Sequence, residues 1–155
     1  MPPSSGRTLL VRRDRIALLV DHSRNPRYEG ALAGADVAMP GGGPECGGSV
    51  AVYLKGDGDG RIEDLSFTGE GDTISMGAAS IIMQKVHDED LTMDEVLALD
   101  YAAFVEELGR EVIGSRTRNA TLGLSTLKSA IRRYRQRADL HSADGTPRPA
   151  GDGGE

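Results

Sequence analysis

The stretch Gly41-Gly42-Gly43-Pro44-Glu45-Cys46-Gly47-Gly48, running on into Ser49-Val50-Ala51-Val52-Tyr53-Leu54-Lys55, decides how the chain is read. Its second half alternates, which puts Val50, Val52 and Leu54 on one face of a strand and Ala51 and Tyr53 on the other. Gly56-Asp57-Gly58-Asp59-Gly60 supplies the positive backbone angles of a hairpin turn, and Arg61 to Thr68 returns as a second strand with Leu65 and Phe67 on one face. A second glycine-rich loop, Thr68-Gly69-Glu70-Gly71-Asp72-Thr73-Ile74-Ser75, then leads into apolar residues at helical spacing. Two glycine loops thus flank a strand pair, and the first holds the only cysteine of the chain, Cys46.

Working outward, Ile74, Ala78, Ile81, Ile82 and Val86 form one stripe of a helix reaching about His87, and the small residues Gly77 to Ser80 let it lie close against the sheet. Thr92 to Leu108 reads as a second helix, opened by Thr92 and Glu95 at capping-box spacing. Asn119 to Gln136 reads as a third, with Ala120, Leu124, Leu127, Ile131 and Tyr134 facing inward. Upstream, Arg12 to Ser23 carries Ile16, Leu19 and Val20 at helical spacing and stops before Pro26, since the residue ahead of proline is pushed out of the helical region. Residues Asp36 to Met39 are the best place for one more short strand. The pattern is α+β: a small antiparallel sheet of about three strands, packed by an N-terminal helix and about three C-terminal helices. It predicts one domain over residues 11–137, a flexible N-terminus over 1–10 and a disordered Gly/Pro/Asp-rich tail over 138–155.

At 155 residues the chain is long enough to bury a core without disulfides or metal. One cysteine forms no internal disulfide, and no apolar run approaches the roughly 20 residues of a membrane span. A cytoplasmic protein with no membrane partner is expected. The net charge is -6, with 14 acidic residues against two basic ones from Asp57 to Glu107, while Arg116 to Arg137 is basic with no acid. With no base-reading or stacking motif beside it, that basic face predicts a solvated or protein-docking surface and no nucleic acid.

Three polar groupings invite chemistry and have plainer readings. Asp21 and His22 have the look of a catalytic pair, but a histidine in a last helical turn serves the helix dipole. Asp57 and Asp59 lack the spaced ligands and distal glutamate of a calcium loop and read as a solvated hairpin tip. His87, followed by Asp88-Glu89-Asp90, reads as an exposed helix end.

Three stretches in the same order resemble the U-type iron-sulfur scaffold family, which comprises SufU, IscU and the N-terminal domain of NifU. They are Asp21-His22-Ser23-Arg24-Asn25-Pro26-Arg27, the Cys46-Gly47 loop ahead of a strand, and Phe67-Thr68-Gly69-Glu70-Gly71-Asp72-Thr73-Ile74-Ser75-Met76. The resemblance runs from about Ile16 to Tyr134, and the last stretch points to the SufU branch. It implies a site of three loop cysteines, plus an aspartate two residues after the first, that holds a nascent cluster or, in the SufU branch, zinc. Here the first cysteine is Cys46, the aspartate position is Gly48, the second cysteine position is Asp72 and the third is Asn119, preceded by Arg118 where the family often has histidine.

Clusters are held mainly by thiolates and structural zinc by four soft or imidazole donors, so these changes disfavour an iron-sulfur cluster, iron or zinc. Asp72 and Asn119 both stand where a helix is expected to begin and read as N-caps, with Cys46 and Asp72 as the remnant of a ligand set. Arg118, if close to Cys46, favours its thiolate.

The resemblance then implies a scaffold or carrier without turnover, accepting persulfide sulfur on Cys46 from a pyridoxal-phosphate cysteine desulfurase and passing it to a downstream acceptor. A docking module that needs no thiol chemistry, and a homodimer sharing a metal or cluster between Cys46 and Asp72 of two subunits, remain open beside it. A cysteine hydrolase is disfavoured because no histidine is tied to Cys46 in sequence. The Leu-Pro-Pro-Val-Lys segment by which the IscU branch recruits an Hsp70-type chaperone is replaced by Glu111-Val112-Ile113-Gly114-Ser115.

Overall fold

The structure is a computed structural model that describes residues 4–143, with side chains described over 11–138. In chain order the elements are α1 (Ser4–Arg24), β1 (Val37–Gly43), a single 3-10 turn (Pro44–Cys46), β2 (Gly48–Gly56), β3 (Ile62–Gly71), α2 (Thr73–Glu89), α3 (Met93–Leu97), α4 (Tyr101–Leu108), α5 (Arg110–Ile113) and α6 (Thr117–Ala143). The strands form one antiparallel sheet in the order β1-β2-β3. Val50 pairs with Gly69, Val52 with Phe67 and Leu54 with Leu65. The alternation therefore sends Val50, Val52, Leu54, Leu65 and Phe67 to one buried face, where they join residues of α2 and α6 in a single core. Among the described residues no helix is long and apolar enough to cross a membrane.

Several expectations change in detail. The glycine-rich stretches are not free loops: Gly41 to Gly43 close β1 and Thr68 to Gly71 close β3. The small residues of α2 serve helix packing. A Cβ on Gly77 would stand 2.6 Å from the Leu19 carbonyl oxygen of α1, and one on Gly123 of α6 would stand 2.8 Å from Ala79 Cα, so two helices approach α2 to backbone contact. In α1, Leu19 is buried but Ile16 is 41% exposed.

The helix expected over Thr92 to Leu108 is two short ones, α3 and α4, with α5 following beyond it. The Thr92–Glu95 capping box is present, but Asp100 caps a new helix by accepting from the Ala103 N–H at 3.1 Å, and Gly109 at φ 107 ends it. Helix α1 begins at Ser4, within the expected flexible N-terminus, and α6 runs on to Ala143, past the expected start of the tail; residues 1–3 and 144–155 lie outside the described residues.

Candidate functional site

Cys46 ends the 3-10 turn that links β1 to β2. The chain reverses at Gly47, whose φ of 75 and ψ of 7 are left-handed, a conformation costly for any residue with a Cβ. Beyond it Gly43, Gly48 and Gly71 lie side by side across the three strands, leaving this end of the sheet as bare backbone. The thiol is half-buried and packed against the edge of the core.

The turn is held from below by the start of α2. The Ser75 hydroxyl donates to the Cys46 carbonyl at 2.8 Å, and the Asp72 N–H donates to the Gly47 carbonyl at 2.9 Å. Asp72 is the N-cap of α2, its Oδ1 accepting from the Ser75 N–H at 2.8 Å, as its residue type predicts. Its Oδ2 accepts from Asn119 Nδ2 at 2.7 Å. Partial burial would raise the Asp72 carboxyl. The Ser75 backbone and side chain, the Asn119 amide and the positive charge of Arg116 outweigh that and hold it below the ordinary carboxylate value.

Two expectations about the third element are corrected. Helix α6 begins at Thr117, so Asn119 lies within its first turn instead of capping it, and its amide is spent on Asp72. Arg118 is exposed and lines a groove with Tyr101, Val105, Arg110 and Thr121 on the α4 side. The cation acting on Asp72 is Arg116, which the sequence reading passed over. Its place just before a helix whose first residues enter the site was the available signal.

His22 and His87 are engaged elsewhere. His22 is buried, its Nδ1 2.7 Å from Ser80 Oγ, and burial, reinforced by Arg27, lowers its pKa against the opposing pull of Asp21. A ring held neutral inside the protein does not serve the helix dipole, nor does it form a catalytic pair with Asp21, which is bound by Arg27 at 2.6 Å. His87 is no exposed helix end: it stacks on Tyr28 with ring centroids 3.7 Å apart, and its Nε2 lies 2.8 Å from the Leu65 carbonyl. The side chain of His141 lies outside the described residues.

Of the positions at which the resemblance places metal ligands, one thiol and one carboxylate remain, and both oxygens of that carboxylate already accept hydrogen bonds. The position at which the resemblance implies an aspartate is closed to a side chain: a Cβ on Gly48 would stand 2.6 Å from the Glu70 carbonyl oxygen and 2.8 Å from Gly71 Cα. Among the described residues no three His, Cys, Asp or Glu side chains gather as a set able to hold a metal ion. This donor set does not fit a cluster, which takes mainly thiolates, or tetrahedral zinc, which takes four donors.

Fold and site together define a small α+β domain that presents one thiol from a glycine-lined sheet end. The sequence profile of the NifU-like N terminal domain matches residues 16–140, and the chain belongs to that family. It is 36% identical over 74 residues to the zinc-dependent sulfurtransferase SufU of Bacillus subtilis (strain 168), covering 48% of this chain and 49% of that protein, so this match spans about half of the relative. It is 32% identical over 135 residues to the iron-sulfur cluster assembly scaffold protein IscU of Streptococcus pyogenes serotype M1, covering 76% of this chain and 82% of that one. A solved NifU-like N-terminal protein from Brucella abortus superposes with a TM-score of 0.65 at 20% identity, over 76% of this chain and 92% of its own, a likeness of fold.

Proposed function

We propose that this protein is a sulfur carrier of iron-sulfur cluster assembly that receives persulfide sulfur on Cys46 from a cysteine desulfurase, without a metal at the receiving site. The observation that carries this reading is Cys46 itself. A half-buried thiol stands on a left-handed turn beside bare backbone, and among the described residues no three His, Cys, Asp or Glu side chains gather as a set able to hold a metal ion.

In the transfer, the Cys46 thiolate attacks the outer sulfur of the partner's persulfide. A sulfur–sulfur bond forms on Cys46 as the partner's breaks, and the partner cysteine leaves as a thiolate that takes up the proton Cys46 has lost. The sulfane sulfur changes carrier, so no external oxidant or reductant is needed. The glycine row next to the thiol suits approach by another polypeptide, since the three paired residues carry no side chains of their own.

Incubating the protein with a pyridoxal-phosphate cysteine desulfurase and cysteine, then measuring intact mass, is expected to show one added sulfur. Chelator should leave the uptake unchanged, and Cys46→Ala should show none. No addition to the wild type, or equal addition to the variant, overturns the reading. Partner binding that survives Cys46→Ala while no sulfur moves would instead identify a docking module.

A further inference from the structure

One set of contacts in this corner plays no part in sulfur transfer. Asp72 binds the start of α2 through Oδ1, the start of α6 through Oδ2 and the Cys46 turn through its own N–H. Ser75 adds a second tie to the turn. The pieces are in direct contact: a Cβ on Gly47 would stand 2.3 Å from Asn119 Nδ2 and 2.4 Å from Asp72 Oδ2. The Gly47 backbone thus occupies the space in front of the carboxylate–amide pair. Three segments that are distant in sequence, the turn over 44–47, the first turn of α2 and the first turn of α6, are joined at one point.

Joining such segments is also the mechanical effect of a metal bound between them, and one relative of this chain is named for its dependence on zinc. Here the donors for zinc are missing, yet the segments are joined. A carboxylate accepting from an amide and a backbone N–H makes charge-assisted hydrogen bonds, stronger than neutral ones. We propose that Asp72 and Asn119 form a metal-free clasp that fixes the Cys46 turn, so that the corner keeps its shape with no zinc or iron. The clasp concerns the conformation of the turn and stands apart from whether Cys46 takes up sulfur.

The test uses the full chain, thermal melting and amide hydrogen exchange. The wild type is expected to melt at the same temperature with added zinc or with chelator. Asn119→Ala should lower Tm by about 4 °C and speed exchange over residues 44–48 about tenfold, leaving the hairpin at 57–61 unchanged. The exchanged pair Asp72→Asn with Asn119→Asp keeps a good cap on α2 and one acceptor facing one donor, and should restore both readings. Three results each overturn the clasp: stoichiometric zinc or iron on the wild type with a Tm that chelator lowers, wild-type exchange over 44–48 in Asn119→Ala, or an exchanged pair no better than the single variant.

Discussion

Helix α2 carries two fully buried serines, Ser75 and Ser80, and each holds a different piece of chain against the helix. Ser80 Oγ accepts from the Arg27 N–H at 2.8 Å and lies 2.7 Å from His22 Nδ1. One hydroxyl thus serves both a backbone N–H and a buried imidazole. The segment pinned there runs on to Tyr28, at φ 61, and pairs with the edge of β3 through Phe67. Ser75 ties down the Cys46 turn in similar fashion, but there the surroundings are part-exposed and the acceptor beside it is the charged Asp72. The two serines do the same mechanical work in opposite environments. Ser80 itself binds only a backbone N–H and a buried imidazole, with the Arg27–Asp21 ion pair kept at the surface beside them, so the seam is sealed; around Ser75 a charge sits within the cluster, and a thiol is left half open. The difference separates a polar cluster that only maintains the fold from one that maintains a site.

The largest effect is expected from crowding the open corner. Gly48→Asp, the carboxylate that the resemblance implies at this position, drives a Cβ into the Glu70 carbonyl and should cost about 3 kcal/mol in urea unfolding. A cost below about 1 kcal/mol would show that this sheet end yields to a side chain and is not held by its backbone contacts.

Next come the serines themselves. Ser80→Ala leaves the Arg27 N–H and His22 Nδ1 without their partner and should cost about 2 to 3 kcal/mol, against about 1 kcal/mol for Ser75→Ala, where in a part-exposed setting the Cys46 carbonyl loses one donor and Asp72 a neighbouring hydroxyl. Equal costs by the same measurement would erase the distinction.

The smallest effect is in pH, and it separates the two clusters along one axis. The pKa of His22 is lowered in the folded state by burial and by Arg27. The unfolded chain therefore binds more protons as pH falls below the ordinary 6.5. Stability is complete above that value and declines as pH drops from it toward the folded value. Asp72 is also lowered, so its contribution is present above the ordinary 3.8 and goes only as pH falls through its folded value. Unfolding free energy measured from neutral to acid pH should show a first decline that His22→Asn removes and a later one that Asp72→Asn reduces. A single acid limb unaffected by His22→Asn would mean the sealed seam does not titrate.

How far these arrangements were legible in the sequence follows from the distance over which each is built. The sheet was legible because the alternation of Val50, Val52 and Leu54 is a local pattern with one geometric meaning. The Asp72 cap was legible for the same reason, since an N-cap is a contact over three residues. The break at Asp100 had a local signal too, an Asp ahead of Tyr101-Ala102-Ala103, but the apolar period ran across it and masked it. Asn119 was misread as a cap because its residue type fits a helix start, while its actual partner is Asp72, 47 residues away. His22 finds Ser80 at a separation of 58, and neither residue announces the other. Arg116 and Arg118 are told apart only by where the start of α6 places them, Arg116 just ahead of the helix and Arg118 in its first turn. The site was legible as a place, the turn at Cys46, and illegible as a set of side-chain partners.

The row Gly43, Gly48 and Gly71 has one more consequence. Three paired residues without side chains cannot tell a correct strand alignment from one slipped along the chain, because alignment is specified by which side chains meet the core. That information lies farther along the sheet, in Val52 against Phe67, in Leu54 against Leu65 and in the tight turn at Asp57 to Gly60. The cysteine corner thus borrows its register from the opposite end of the hairpin, and the placement of Cys46 is dictated by residues that never come near it.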